Sequence, residues 1–337
     1  MSKRITVLLL VSTLLFAQDL SRRDVLGGTA LSAGITLLTL TEAGMISEED
    51  AESNDLPWWI YTTIGTQHLP LYSQNKSMGL QFSLIEGSTL MVQRLSLGHE
   101  TMNDIALNYY LKTSFYSTYA IYKNLREQAG GDVYQDSWKS YTATDLALAP
   151  FKWEHLSRKE FIRPFLLIGA ISWLTTDKPN PVWDTKRAEV DGRSFPTPTA
   201  TAISLGSNMI LMAATAVGEE ALFRGVIYEE LKQSIGQKKA RMADALLFPA
   251  IHLPQEIAAG AETGDMVVNF VFRSVLTWIL DASYDAGGLP LSTTLHFWNN
   301  TLSRTLRWGG ESGVPSMNIK HWQQNQSPQM IRFSVTF

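Results

Sequence analysis

From Ala200 to Val217 the chain carries no charged side chain, and the run then ends on Gly218-Glu219-Glu220-Ala221-Leu222-Phe223-Arg224-Gly225. An uncharged stretch of this length reads as a membrane-length helix, in which every backbone N–H and C=O is satisfied inside the segment. Two carboxylates and a guanidinium at its end are expensive to place there, so they mark a functional site by default.

Helical phase separates the three charges. At about 100° per residue, Glu220 and Arg224 share a face, whereas Glu219 points about 100° away, together with Phe223. The two carboxylates therefore need not do the same work. Glu220 is placed to pair with Arg224, and Glu219 faces another surface in apolar surroundings beside a like charge, the setting in which a general base is made. A second pair, Glu229-Glu230, has no arginine four or five residues on and lies beside Lys232 in a polar stretch. It reads as a solvated helix end.

Two further motifs follow in apolar segments. Phe248-Pro249-Ala250-Ile251-His252 precedes Leu253-Pro254, and His296-Phe297-Trp298-Asn299-Asn300 puts His296 and Asn300 on one helical face. The chain has only 6 histidines, and these two are the ones in membrane-like stretches. Alone, each would be an ordinary hydrogen-bonded core histidine. Their joint occurrence after the charged helix points to a site.

The three motifs together resemble the CPBP family, the CAAX prenyl endopeptidases and bacteriocin-processing (Abi-like) proteins, which are glutamic intramembrane proteases. The family pattern is Glu-Glu-x-x-x-Arg, then Phe-x-x-x-His, then His-x-x-x-Asn or Asp. Here it reads Glu219-Glu220 to Arg224, Phe248 to His252 and His296 to Asn300, in order and complete. The resemblance covers roughly residues 160 to 305. It implies an all-α fold, a polytopic transmembrane helical bundle with catalytic residues on facing helices. It also implies roles: Glu219 and His252 hold and deprotonate a water, His296 and Asn300 stabilise the oxyanion, and Glu220, Arg224 and Phe248 support them. No cofactor and no metal is called for. The partners implied are the lipid bilayer and a membrane-associated peptide or protein substrate, drawn in the family from prenylated C-termini, bacteriocin leaders and C-terminal sorting signals.

Two rival readings use the same residues. Two histidines and a glutamate could bind zinc and leave a position for water, as in a membrane metalloprotease. The chain has no His-Glu-x-x-His, since His99-Glu100 is followed by Asn103. Alternatively, the polar network only joins helices in a non-catalytic membrane binding or immunity protein of the same fold.

The rest of the chain sets the context. A formal charge of −4 argues against a nucleic-acid partner, and charged residues make up only 18%, below the roughly 25% of soluble domains. The absence of cysteine removes disulfides, thiolate metal sites and a thiol nucleophile together. At the N-terminus, Lys3 and Arg4 precede the apolar Ile5 to Phe16, and Ser21-Arg22-Arg23-Asp24-Val25-Leu26 resembles a twin-arginine export motif. Residues 1–45 are thus expected to be a cleaved signal or membrane anchors, and the location a bacterial inner membrane with several crossings.

Residues 46–155 form a less defined region. Trp58-Trp59-Ile60-Tyr61 suits a headgroup level, and Leu84 to Arg126 has mixed, near-helical spacing. Residues 156–310 are the protease-like domain, with apolar segments at Phe161 to Trp173, Thr199 to Val217, Met242 to Leu253, Val267 to Ile279 and Leu289 to Leu302. Residues 311–337 are a polar tail whose end, Ile331 to Phe337, alternates like a strand. Lys139, Lys152, Arg158, Lys159 and Arg163 lie at the start of the first apolar segment and Lys232, Lys238, Lys239 and Arg241 follow the Glu-Glu helix, which favours both flanks being cytoplasmic. Lys178, Lys186, Arg187 and Arg193 in the loop between point the other way.

Overall fold

The computed structural model describes residues 21–30, 32, 76–95, 100–129, 139–175, 186–190, 193–258 and 261–310. The aromatic cluster at Trp58 and the alternating segment at Ile331 lie outside these residues, as does Ile5 to Phe16. The chain divides into two compact units, Met1–Ser140 and Tyr141–Phe337.

In the first unit the mixed stretch read as helical is two helices, α1 (Lys76–Leu95) and α2 (Glu100–Ala129). Their shared face is aromatic and polar at once. The Phe82 ring lies 5.8 Å from that of Tyr116, and the fully buried Glu86 accepts from Ser117 Oγ at 3.2 Å. Residues 22–30 are also helical, with Val25 buried and Ser32 Oγ 3.5 Å from Thr118 Oγ1.

The second unit starts with α3 (Ala143–Leu148), opened by a capping box in which Thr142 and Asp145 satisfy each other's backbone N–H. A 3₁₀ turn at Ala149–Phe151 and the short α4 (Trp153–Leu156) lead into α5 (Lys159–Thr175). A two-stranded antiparallel hairpin, β1 (Arg187–Val190) and β2 (Arg193–Pro196), then leads into α6 (Thr197–Leu222). This hairpin is the one departure from an all-α fold among the described residues. Pro198 sits in the first turn of α6, where no intrahelical N–H is lost.

α6 does not stop at its charged end. It passes through a π-helical turn at Phe223–Tyr228 into α7 (Glu229–Ile235), which ends at Gly236 with φ 80°, a conformation glycine adopts without strain. α8 (Gln237–Ala250) and α9 (Leu253–Ala258) follow. Last comes α10 (Thr263–Gly310), of 48 residues, interrupted at Gly288, where φ is 71° and ψ −172°.

That interruption reverses the chain. Thr277 and His296 are nineteen residues apart, which on a straight helix is about 28 Å. Both are nevertheless joined through one guanidinium: Arg224 donates to the Thr277 carbonyl at 3.3 Å and to Glu220 at 3.1 Å, and Glu220 meets His296 at 2.7 Å. The two arms, residues 263–287 and 289–310, must therefore lie side by side. Leu276 and Leu280 of the first arm share one apolar cluster with Leu291 and Leu295 of the second and with Phe161 and Ile168 of α5. At the turn itself, a side chain on Gly288 would come within 2.8 Å of the Tyr141 hydroxyl.

The five apolar segments read from the sequence fall on α5, α6, α8 and the two arms of α10. Among the described residues, Thr263–Ser303 is the one segment long and apolar enough to cross a membrane. On its first arm Val267, Val271, Val275 and Trp278 form an exposed apolar stripe at helical spacing.

Candidate active site

The last turn of α6 delivers both carboxylates into the unit. Glu220 is fully buried and Glu219 only 6% exposed. Glu220 Oε1 receives Nη1 of Arg224 at 3.1 Å and Nδ1 of His296 at 2.7 Å. Glu219 Oε2 lies 3.6 Å from Nε2 of the same imidazole. One ring thus touches both carboxylates through its two nitrogens. Because an ionised carboxylate can only accept, Nδ1 is the donor to Glu220, and Nε2 is the nitrogen presented to Glu219.

Arg224 is the charge that makes this burial tolerable. Its Nε donates to Asp281 Oδ1 at 3.0 Å and lies 3.9 Å from Asp244 Oδ2, and its guanidinium sits 5.2 Å over the Phe248 ring. All three acids and the arginine are fully buried. A single cation thus ties the α6 end to α8 and to the first arm of α10. Removing one partner of such a buried set strands the remaining charges, at about 3–5 kcal/mol.

His252 follows α8, and its Nδ1 meets the Phe248 carbonyl at 2.7 Å. Since that oxygen accepts, Nδ1 is the donor and Nε2 carries the lone pair. The Phe248 ring, 4.8 Å from that of His252 and 4.7 Å from that of Phe223, thus packs against the histidine while the Arg224 guanidinium lies over it. Asn300 lies one helical turn beyond His296, with its Oδ1 accepting from Asn299 Nδ2 at 3.4 Å. Among the described residues, no group of three His, Cys, Asp or Glu is set to hold a metal ion.

The sequence reading missed four participants. Asp244 and Asp281 flank Arg224, and a second buried ion pair, Glu256 with Arg273, lies close by. Arg273 is near enough to Glu219 for their charges to interact. Part of the overlooked signal was available: Asp244 and Arg273 are ionisable residues within apolar segments, which are functional candidates by that fact alone, and Asp281 lies two residues past the end of one.

One reading is corrected. Glu229-Glu230 is not a solvated helix end, for Glu229 is 2% and Glu230 7% exposed. Glu229 accepts from the Tyr284 hydroxyl at 3.0 Å and lies 3.6 Å from Lys232 Nζ. The first arm of α10 covers this face, a long-range contact that local polarity does not announce.

A buried glutamate and histidines on a helical scaffold, beside a membrane-length segment, define a class of site suited to activating water in an apolar setting. Residues 202–302 match the family model described as type II CAAX prenyl endopeptidase Rce1-like. The matched segment contains all three motifs, so the resemblance read from them holds for this part of the chain. The family is one of membrane-embedded proteases. No curated protein and no solved structure matches the chain.

Proposed function

We propose that this protein is an intramembrane endopeptidase that hydrolyses a peptide bond at or within the bilayer, with Glu219 as the base. The observation that carries this reading is the geometry of His296: its Nδ1 is held by Glu220, and its Nε2 faces Glu219 at 3.6 Å. Glu219 and His252 hold a water, and Glu219 takes one proton from it. The water oxygen then attacks the carbonyl carbon, and the carbonyl oxygen becomes an oxyanion. Donors aimed at that oxygen lower the barrier. His296, protonated at Nε2, and the Asn300 side-chain amide supply them. Glu219 returns its proton to the leaving nitrogen as the C–N bond breaks.

Glu220 and Arg224 do not touch the reacting atoms in this scheme. They fix the tautomer and position of His296, and Phe248 fixes His252. The setting is several helices embedded in a bacterial inner membrane, and the substrate is a membrane-associated peptide or protein.

A second reading, a non-catalytic binding or immunity protein, draws on Arg224, which joins three elements as a purely structural network would. One experiment separates the two. Glu219→Gln is expressed in the native host, membrane insertion is verified, and the termini of membrane and secreted proteins are compared with wild type. Loss of a set of processed termini is the expected result. Unchanged termini with normal insertion would sink the protease reading.

A further inference from the structure

The segment from Tyr141 to Lys159 opens the second unit and displays large apolar side chains. Trp153 is 77% exposed, Phe151 53% and Leu148 52%. Phe151 also packs inward: its ring lies 5.4 Å from that of Phe297, and the Pro150 carbonyl accepts from Trp298 Nε1 at 2.8 Å. The inner side of this segment thus grips the two residues that follow His296, while its outer side has no covering among the described residues of this unit.

Its level in the fold is fixed at both ends. Arg158 Nη2 donates to the Ala286 carbonyl at 3.0 Å, and the Tyr141 hydroxyl faces Gly288. Ala286 to Gly288 is the reversal between the two arms of the membrane-length segment, and a reversal carries backbone groups that must reach water or protein. From Gly288 to Phe297 the second arm descends nine residues, about 13 Å. The segment therefore runs from the turn to roughly that depth, the breadth of a headgroup region and its acyl boundary.

Its charges suit that place. Lys152, Arg158, Lys159 and Arg163 face Asp145, Glu154 and Glu160, and the acids are engaged locally: Asp145 caps α3, Glu154 lies 3.4 Å from His155, and Glu160 lies 3.7 Å from Arg158. Lys159 is 71% exposed, with its Nζ 3.9 Å from Glu160 Oε1. An exposed tryptophan between lysines is the arrangement that anchors at a membrane–water interface. The exposed apolar stripe continues into α5 through Ile162 and Leu166.

We propose that residues 141–159 form an interfacial seat that rests on the headgroup layer of an anionic bilayer and carries the helix of His296 on its inner side. This rests on the membrane placement above but not on the protease chemistry. The cysteine-free chain makes the test direct. Single cysteines replacing Leu148, Trp153, Lys159 and Val271 are spin-labelled in the full-length protein. The protein is reconstituted in phosphatidylcholine vesicles with and without phosphatidylglycerol, and accessibility to oxygen and to a polar nickel chelate is measured by power saturation.

Labels at 148 and 153 are expected to favour oxygen severalfold more than the label at 159, and more so with phosphatidylglycerol present. The label at 271 should read hydrocarbon throughout. A water-like reading at 153 with a hydrocarbon reading at 271 overturns the seat and leaves the membrane placement standing, whereas a water-like reading at 271 overturns the placement itself. Immersion independent of phosphatidylglycerol overturns the anionic part. A label at 153 shielded from both reagents overturns the lipid as occupant in favour of a protein.

Discussion

The helix from Thr197 to Ile235 contains the dipeptide Glu-Glu twice, ten residues apart, and both copies are buried. Glu219-Glu220 meets an arginine at i+4 and, through Glu220 and Glu219 in turn, both nitrogens of one histidine. Glu229 meets a tyrosine hydroxyl, a glutamine amide and a lysine ammonium. The first set joins its carboxylates to an imidazole, a ring with one nitrogen on each carboxylate, and the second, among the described residues, has no such ring. The two pairs are alike in burial and differ in the i+4 arginine and in the partners that a distant helix brings to them.

The largest expected effect separates the two pairs by activity. Glu219→Gln should lower peptide-bond hydrolysis by about 10²–10⁴-fold, the usual reach of a general base, while Glu229→Gln should leave turnover within a few-fold of wild type. Matched losses in both variants, with thermal midpoints unchanged, would erase the distinction. Next, Arg224→Met strands Glu220, Asp244 and Asp281 together. It should cost about 3–5 kcal/mol, read as a depressed unfolding midpoint in detergent, and Arg224→Lys should recover only part of it because an ammonium cannot reproduce the forked contacts.

Gly288→Ala tests the reversal that brings His296 back to the first pair. The backbone there is one that only glycine occupies freely, so a loss of about 1–3 kcal/mol is expected, with turnover falling more than the stability loss explains. Tyr284→Phe removes a hydrogen bond from the second pair alone and should cost about 1–2 kcal/mol with normal turnover. The smallest effect concerns His155, outside both pairs. Burial holds its imidazole below the ordinary 6.5, with Glu154 opposing. A depressed histidine contributes stability that is full above the unfolded value and is lost as the pH falls through the folded one. His155→Gln should therefore flatten the decline of the unfolding midpoint between about pH 6.5 and lower values, and a steeper decline would reverse the assignment.

Much of the first pair's surroundings was legible in the chain itself. The i, i+4 spacing gives Glu220 and Arg224 without any tertiary knowledge, and the uncharged runs mark the helices that carry the histidines. The remainder depends on contacts between distant residues. Asp281 is fifty-seven positions from Arg224, and Tyr284 fifty-five from Glu229, so no local pattern shows either pairing. Glu229 looked solvated because it lies beside Lys232 in a polar stretch, yet Lys232 and Gln237 both reach Asp285 of α10. The division of α10 was visible in the gap between Ile279 and Leu289, where Gly287-Gly288-Leu289-Pro290 interrupts the apolar pattern, whereas the direction taken after the break was not.

The π turn at Phe223–Tyr228 has a consequence for evolution by insertion. Its hydrogen bonds span five residues instead of four, so this stretch accommodates one residue more than an α-helix of equal rise. Every side chain from Glu229 onward is thereby rotated relative to Glu219 without the helix being broken. Removing one residue between Phe223 and Tyr228 would let the turn relax to α-helical register and swing Glu229 and Tyr228 away from Tyr284 and Asp285, while Glu219 and Glu220 stayed in place. The widened turn lets the two ends of one helix be tuned separately, each against its own part of α10.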